Sequence, residues 1–342
     1  MRISALGISA GVIIAGFCAI GARATDTAAC GTQGDLHFIC GMSNVEDMLP
    51  VDDGKWIVAS SMTVGSAGFY LIDPASKTSK PVALSIGKAE TPYDKCPGAP
   101  DLKTVLTHGL DVTKESGSTS LVFAVNHVGR QSVEVYRLTP SHGTAVWIGC
   151  VVLPAGAYPN AVVSLPDKSL AVTKFVDTGE KDGMADALAG KPNGLVYLWK
   201  PGAGWSEVAG SALPGDNGLV ASADGKSLFV NAWGNSEVWR LPLSRDGKPV
   251  KVTLKFHPDN LRWAPDGSIF VTGQTRSDET APPIDATGWS VARLDPKTMT
   301  VTPLFHYEGT PAFGYATSTV EADRTLFIGT WRGDKVAYRD AP

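Results

Sequence analysis

Polar residues able to do chemistry recur at one position of a repeating pattern. Glu46 stands in Asn44-Val45-Glu46-Asp47, Asn160 in Tyr158-Pro159-Asn160, Asn217 in Gly215-Asp216-Asn217-Gly218, and Asp259 with Asn260 in His257-Pro258-Asp259-Asn260. Each run lies just before a strand that leads into a turn, so a repeating fold would deliver all of them to one end of a central channel. Two carboxylates and three amides make an all-oxygen set. Such a set suits Ca²⁺, which takes six to eight hard oxygen ligands including water, and the lack of Cys or His in it disfavours zinc. Taken singly, Asn and Asp ordinarily stabilise loops, and it is their recurrence that argues for a shared site. His108, before Gly109, and His127, after Asn126, flank apolar strands. A neutral imidazole there can take a proton from water. His37, His142 and His306 lie among polar or loop residues and are given no role, while His257 reads as a loop neighbour of the site.

The elements that must hold these groups are short strands. Asp52-Asp53-Gly54-Lys55 precedes WIVAS and GFYLID, and Ser116-Gly117-Ser118 precedes LVFAV and SVEVYRL. The phrase returns at Pro166-Asp167-Lys168, Ala223-Asp224-Gly225-Lys226, Pro265-Asp266-Gly267 and Ala322-Asp323-Arg324, each time with two alternating β-branched and aromatic runs after it. The markers Gly54, Gly117, Asp167, Gly225, Gly267 and Asp323 are about 40 to 65 residues apart, the range of a propeller blade. The spacing predicts an all-β chain, a six-bladed β-propeller of four-stranded blades around a central channel, with seven blades or a large β-sandwich as alternatives. Two polar excursions interrupt it. Val176 to Gly194, a lid or a surface loop, could form a helical turn or two at Met184–Ala189, and a similar loop runs from Arg276 to Gly288.

With these residues in place the sequence resembles the calcium-dependent paraoxonase/arylesterase family, within the gluconolactonase-like six-bladed propellers. The matching phrases are Glu46-Asp47, LTHGLDV around His108, FAVNHVGRQSVEVYRL around His127, YPNAVVSLPD, GDNGLVASADGKSLFVNAW and PDNLRWAPDGSIFVTG. The resemblance implies one calcium in the channel held by Glu46, Asn160, Asn217, Asp259 and Asn260, an active site containing His108 and His127, and a small apolar lactone or ester as substrate. It also implies a second, structural calcium on Asp47 and the residue after Asn160. That residue is Ala161, a departure that puts the second ion in doubt.

The 342 residues carry a formal charge of −4, with 37 Gly and 23 Pro, a globular and loop-rich profile without a basic stripe for nucleic acid. Met1-Arg2, an apolar run from Ile3 to Ile20 and Ala22-Arg23-Ala24 read as a secretory signal cut after Ala24, with an uncleaved anchor as the alternative. The expected mature chain, 25–342, is then one propeller domain, periplasmic or secreted, with no stable membrane span. Its four cysteines, Cys30, Cys40, Cys96 and Cys150, predict two disulfides with three possible pairings. The single G-x-S-x-G, Gly7 to Gly11, falls inside the signal, and no P-loop, H-E-x-x-H, C-x-x-C or EF-hand pattern is present. The rivals to a hydrolase are a strictosidine-synthase-like or lyase-type propeller and a non-enzymatic, calcium-stabilised binding propeller, since a fold does not fix a reaction.

Overall fold

A computed structural model describes residues 29–244, 246–275 and 288–342; the signal-like segment 1–24 and the loop 276–287 lie outside them. Strands β1 (Ala29–Gln33) and β2 (Leu36–Cys40) lead into the first blade: β3 (Met48–Val51), β4 (Trp56–Ser60), β5 (Phe69–Asp73) and β6 (Thr78–Pro81). After β7 (Ala83–Ile86) come β8 (Thr107–Ser116), β9 (Thr119–Asn126), β10 (Ser132–Thr139) and β11 (Thr144–Val152). The third blade is β12 (Ala157–Ser164), β13 (Leu170–Asp177), helix α1 (Gly183–Leu188), β14 (Leu195–Lys200) and β15 (Gly204–Glu207). The fourth is β16 (Asp216–Ala221), β17 (Ser227–Ala232), β18 (Glu237–Pro242) and β19 (Val250–Thr253). The fifth is β20 (His257–Trp263), β21 (Ile269–Thr275), β22 (Gly288–Leu294) and β23 (Val301–Tyr307), and the chain ends in β24 (Ala316–Ala322), β25 (Thr325–Thr330) and β26 (Lys335–Asp340).

The six sheets form the expected propeller. The last blade is completed by β2, which pairs with β26, so the N-terminal and C-terminal ends close the ring together. Two blades depart from the four-strand expectation: β1 extends the last one, and β7 runs parallel along β11. Both extra strands cover an outer edge whose backbone groups would otherwise be unpaired. The six markers all sit in the turn between the first and second strands of their blades, with positive φ at Gly54, Gly117, Lys168, Gly225, Gly267 and Asp323. Six apolar clusters fill the gaps between neighbouring blades, for example Val220, Phe229, Leu261 and Ile269 between the fourth and fifth. The inner strands β3, β8, β12, β16, β20 and β24 adjoin one another in turn around the channel.

The 176–194 excursion is anchored. α1 packs on the 3-10 turn Trp233–Asn235, and Asn193 donates to Gly183 O (2.8 Å) and accepts from Gly215 N (3.2 Å), beside the strand that carries Asn217. The cysteines pair as Cys30–Cys40 and Cys96–Cys150. Among the described residues no helix is long and apolar enough to cross a membrane.

Candidate metal centre and its histidine pair

The polar runs do not precede the inner strands, as the sequence suggests; most lie within them, at bulges. Asn160-Ala161 of β12 face the single residue Thr173, Asn217-Gly218 of β16 face Asn231, Asp259-Asn260 of β20 face Thr272, and His108-Gly109 of β8 face Val125. β24 has its irregularity at Thr317, and Glu46-Asp47 lead directly into β3. A bulge re-aims the side chain it carries, so five inner strands turn a polar group at the same level of the ring. Two glycines allow the strands to meet there. A Cβ on Gly109 would lie 2.3 Å from Asn160 O, and one on Gly218 2.3 Å from Asp259 O, closer than non-bonded atoms approach. The residues facing the bulges tie the blades together: Thr173 Oγ1 donates to Asn217 O (2.7 Å) and Asn231 Nδ2 to Asp259 O (2.7 Å).

The five oxygen ligands expected from the sequence are all buried at this level. Asn260 Nδ2 donates to Glu46 Oε1 (2.6 Å), Gln274 Nε2 donates to Asp259 Oδ2 (2.6 Å), and Thr317 Oγ1 donates to Glu46 O (2.6 Å). Asn217 and Glu46 both adjoin the Asp259 carboxyl. Four oxygens are left with no protein donor: Glu46 Oε2, Asn160 Oδ1, Asn217 Oδ1 and Asn260 Oδ1. Buried acceptors without donors are costly, and a hard cation is the species that satisfies several at once. The acids report the same deficit of positive charge. Burial, then the Asp259 and Asp47 charges, hold the Glu46 carboxyl well above its ordinary range, and burial likewise raises Asp259. The residues therefore fit one hard divalent cation.

The two histidines form a chain leading to these oxygens. His127 Nδ1 lies 2.7 Å from Gln131 Oε1, and its Nε2 lies 2.9 Å from His108 Nδ1. Gln131 Oε1 can only accept, so His127 carries its proton on Nδ1, His108 carries its own on Nδ1, and His108 Nε2 is left with a free lone pair. That nitrogen faces Glu46 Oε2 at 3.7 Å. Burial, then the neighbouring imidazole, lowers the His108 pKa well below its usual value, and burial lowers that of His127, so both are neutral bases at pH 7. Tyr158 stacks on His127 with ring centroids 4.3 Å apart. His257 is turned to the loop, with Nδ1 2.8 Å from Trp233 O.

Sequence reasoning missed Tyr158, Gln274 and Thr317, whose positions only strand register reveals, and Gln131, which lies in the loop between β9 and β10. It also missed Arg262, although a signal existed: a charged residue stands where the equivalent inner strands carry Val163 and Val220. Cys96, Cys150 and Glu134 cluster within 4.8 Å, but the sulfurs are bonded to each other and Glu134 is held by Arg130, Ser132 and Trp147, so this trio is no metal centre. A cavity of about 480 Å³ lined by Asp111, Lys114, Ser164, Arg262 and Trp263 lies beyond the bulges toward the blade turns; the Asp111 carboxylate in it is bound by Ser164.

No family model and no curated protein matches the chain. Among solved structures it is similar to a gluconolactonase from Xanthomonas campestris, at 17% identity over 94% of each chain with a TM-score of 0.54. It is also similar to a luciferin-regenerating enzyme, at 13% identity over 88% of this chain and 92% of that one, again with a TM-score of 0.54. At such identities the likeness shows the fold, the propeller that positions the channel just described.

Proposed function

We propose that the protein is a calcium-dependent hydrolase of lactones or esters, exported to the periplasm or beyond the cell. The observation that carries this reading is the set of buried donorless oxygens, Glu46 Oε2, Asn160 Oδ1, Asn217 Oδ1 and Asn260 Oδ1, with the His108 lone pair 3.7 Å from the first of them. The order of motifs shared with paraoxonases and arylesterases, and a gluconolactonase among the structures of the same fold, support lactones as the substrate class. The two disulfides suit an oxidising compartment, as does the signal-like N-terminus.

Glu46, Asn160, Asn217, Asp259 and Asn260 would hold the ion. Bound there, calcium supplies a Lewis acid for the substrate carbonyl and countercharge for the developing oxyanion, worth several kcal/mol. The chain's own residues do the rest. His108 Nε2 takes the proton of the attacking water, because its other nitrogen is engaged as a donor to His127. His127 stabilises the resulting imidazolium and is itself fixed by Gln131 and by the face of Tyr158. Gln274 donates to Asp259 Oδ2 and accepts from Trp233 Nε1 (3.3 Å), which keeps one carboxylate oxygen of Asp259 occupied. The test is a panel of aliphatic lactones and aryl esters, assayed after exhaustive chelation and again with added calcium. Turnover that disappears and returns is expected. Calcium that raises the melting temperature without turnover of any substrate would instead make this a binding propeller, and elimination products would make it a lyase.

A further inference from the structure

The second, structural calcium that the resemblance implies does not fit the residues at its place. Asp47 is fully buried, but both of its oxygens are taken. Oδ1 accepts from Met48 N (2.8 Å) and Arg262 Nε (2.9 Å), and Oδ2 accepts from Leu110 N (2.7 Å) and Arg262 Nη2. The companion position is Ala161, which offers no side-chain oxygen. Arg262 is 3% exposed and donates further to Met48 O (3.2 Å), Leu261 O (2.7 Å) and Leu110 O (3.0 Å). One guanidinium thus joins the entry to β3, the bulged stretch of β8 and its own strand β20, three inner strands that surround the channel.

We propose that Arg262 is a built-in cation that takes the place of a second metal, so that the chain binds a single divalent ion. The planar fork supplies the charge that neutralises Asp47 and the N–H groups that satisfy the carbonyls around it. Being covalently attached, this cation cannot dissociate, and the channel below the bulges keeps its shape at any calcium concentration. The count of one ion rests on the metal centre proposed above; the exclusion of metal from Asp47 does not.

Calcium bound after gel filtration, counted by elemental analysis, tests both parts on the wild type and on Asn160→Ala/Asn217→Ala, which strips the proposed centre and leaves Asp47 untouched. One ion in the wild type and none in the double variant is expected. Two in the wild type would place a metal at Asp47 and overturn the inference while leaving a hydrolase intact. None in either protein supports the exclusion at Asp47 and contradicts the metal centre instead. Independently, Arg262→Ala should melt roughly 5 to 10 °C lower at saturating calcium, or fail to fold, because a buried carboxylate loses its partner. An unchanged melting temperature would mean that the guanidinium holds nothing, and would overturn the proposal.

Discussion

At the scale of single residues, the proposed site is a gathering of buried acceptors, and each has a distinct cost and use. Asn217 spends its side-chain oxygen on nothing in the protein. Asn217→Ala should therefore weaken calcium binding tenfold or more while leaving the melting temperature of the calcium-free protein within a few degrees, a pair of results that calorimetry and thermal unfolding would read together. Removal of the proposed base has a different signature. His108→Gln should cut lactone turnover by roughly 10² to 10⁴ with calcium affinity nearly retained. The pH dependence follows in sign: a base with a depressed pKa stays neutral further into acid, so the wild-type rate should fall only below the ordinary imidazole range, and His108→Gln should lose that limb. An unchanged rate and profile would move the proton elsewhere, with Glu46 and Asp259 the next candidates. The candidate ligand residues were legible in the sequence because the repeat put them in one register. Gln131 was not, since a glutamine in a loop carries no pattern, and its part depends on a 2.7 Å contact that only the folded turn creates.

At the scale of elements, the bulge is what converts an alternating strand into a ligand holder. Its effect escaped the sequence because a polar pair before an apolar run reads as a loop. The turns were legible, because Asp and Gly there meet a backbone demand. Gly218→Ala forces a Cβ against the backbone of β20 at Asp259 and Asn260, so it should lower stability and calcium affinity together, unlike Asn217→Ala. One step further along the inner strands, Asp111 and Arg262 occupy the level of Val163 and Val220. Burial pushes the Asp111 carboxyl up to about 6, with Ser164 opposing. A folded-state pKa above the unfolded one means that ionisation costs stability, so the cost is present at neutral pH and disappears below the unfolded value. Asp111→Asn should then stabilise the protein at pH 7.5 by on the order of 1 to 3 kcal/mol and give no gain at about pH 3, below the unfolded value, as denaturant midpoints at the two pH values would show.

At the scale of the whole molecule, the ring closes with β2 against β26, and the disulfides staple regions of different length. Cys96–Cys150 spans 54 positions and Cys30–Cys40 only 10, so replacing the first pair by Ser should cost more, about 4 kcal/mol against about 3 if loop entropy dominates. The blade count was readable because every inner turn repeats one phrase, whereas the fifth strands β1 and β7 were not, since short edge segments such as ALSI carry no phrase of the repeat. All of this architecture converges on one level of the channel. The direct measurement is a crystal structure grown with calcium. One ion is expected in the channel, within about 2.3 to 2.6 Å of oxygens from Glu46, Asn160, Asn217, Asp259 and Asn260. Water molecules alone at that level, in crystals saturated with calcium, would contradict the proposed centre.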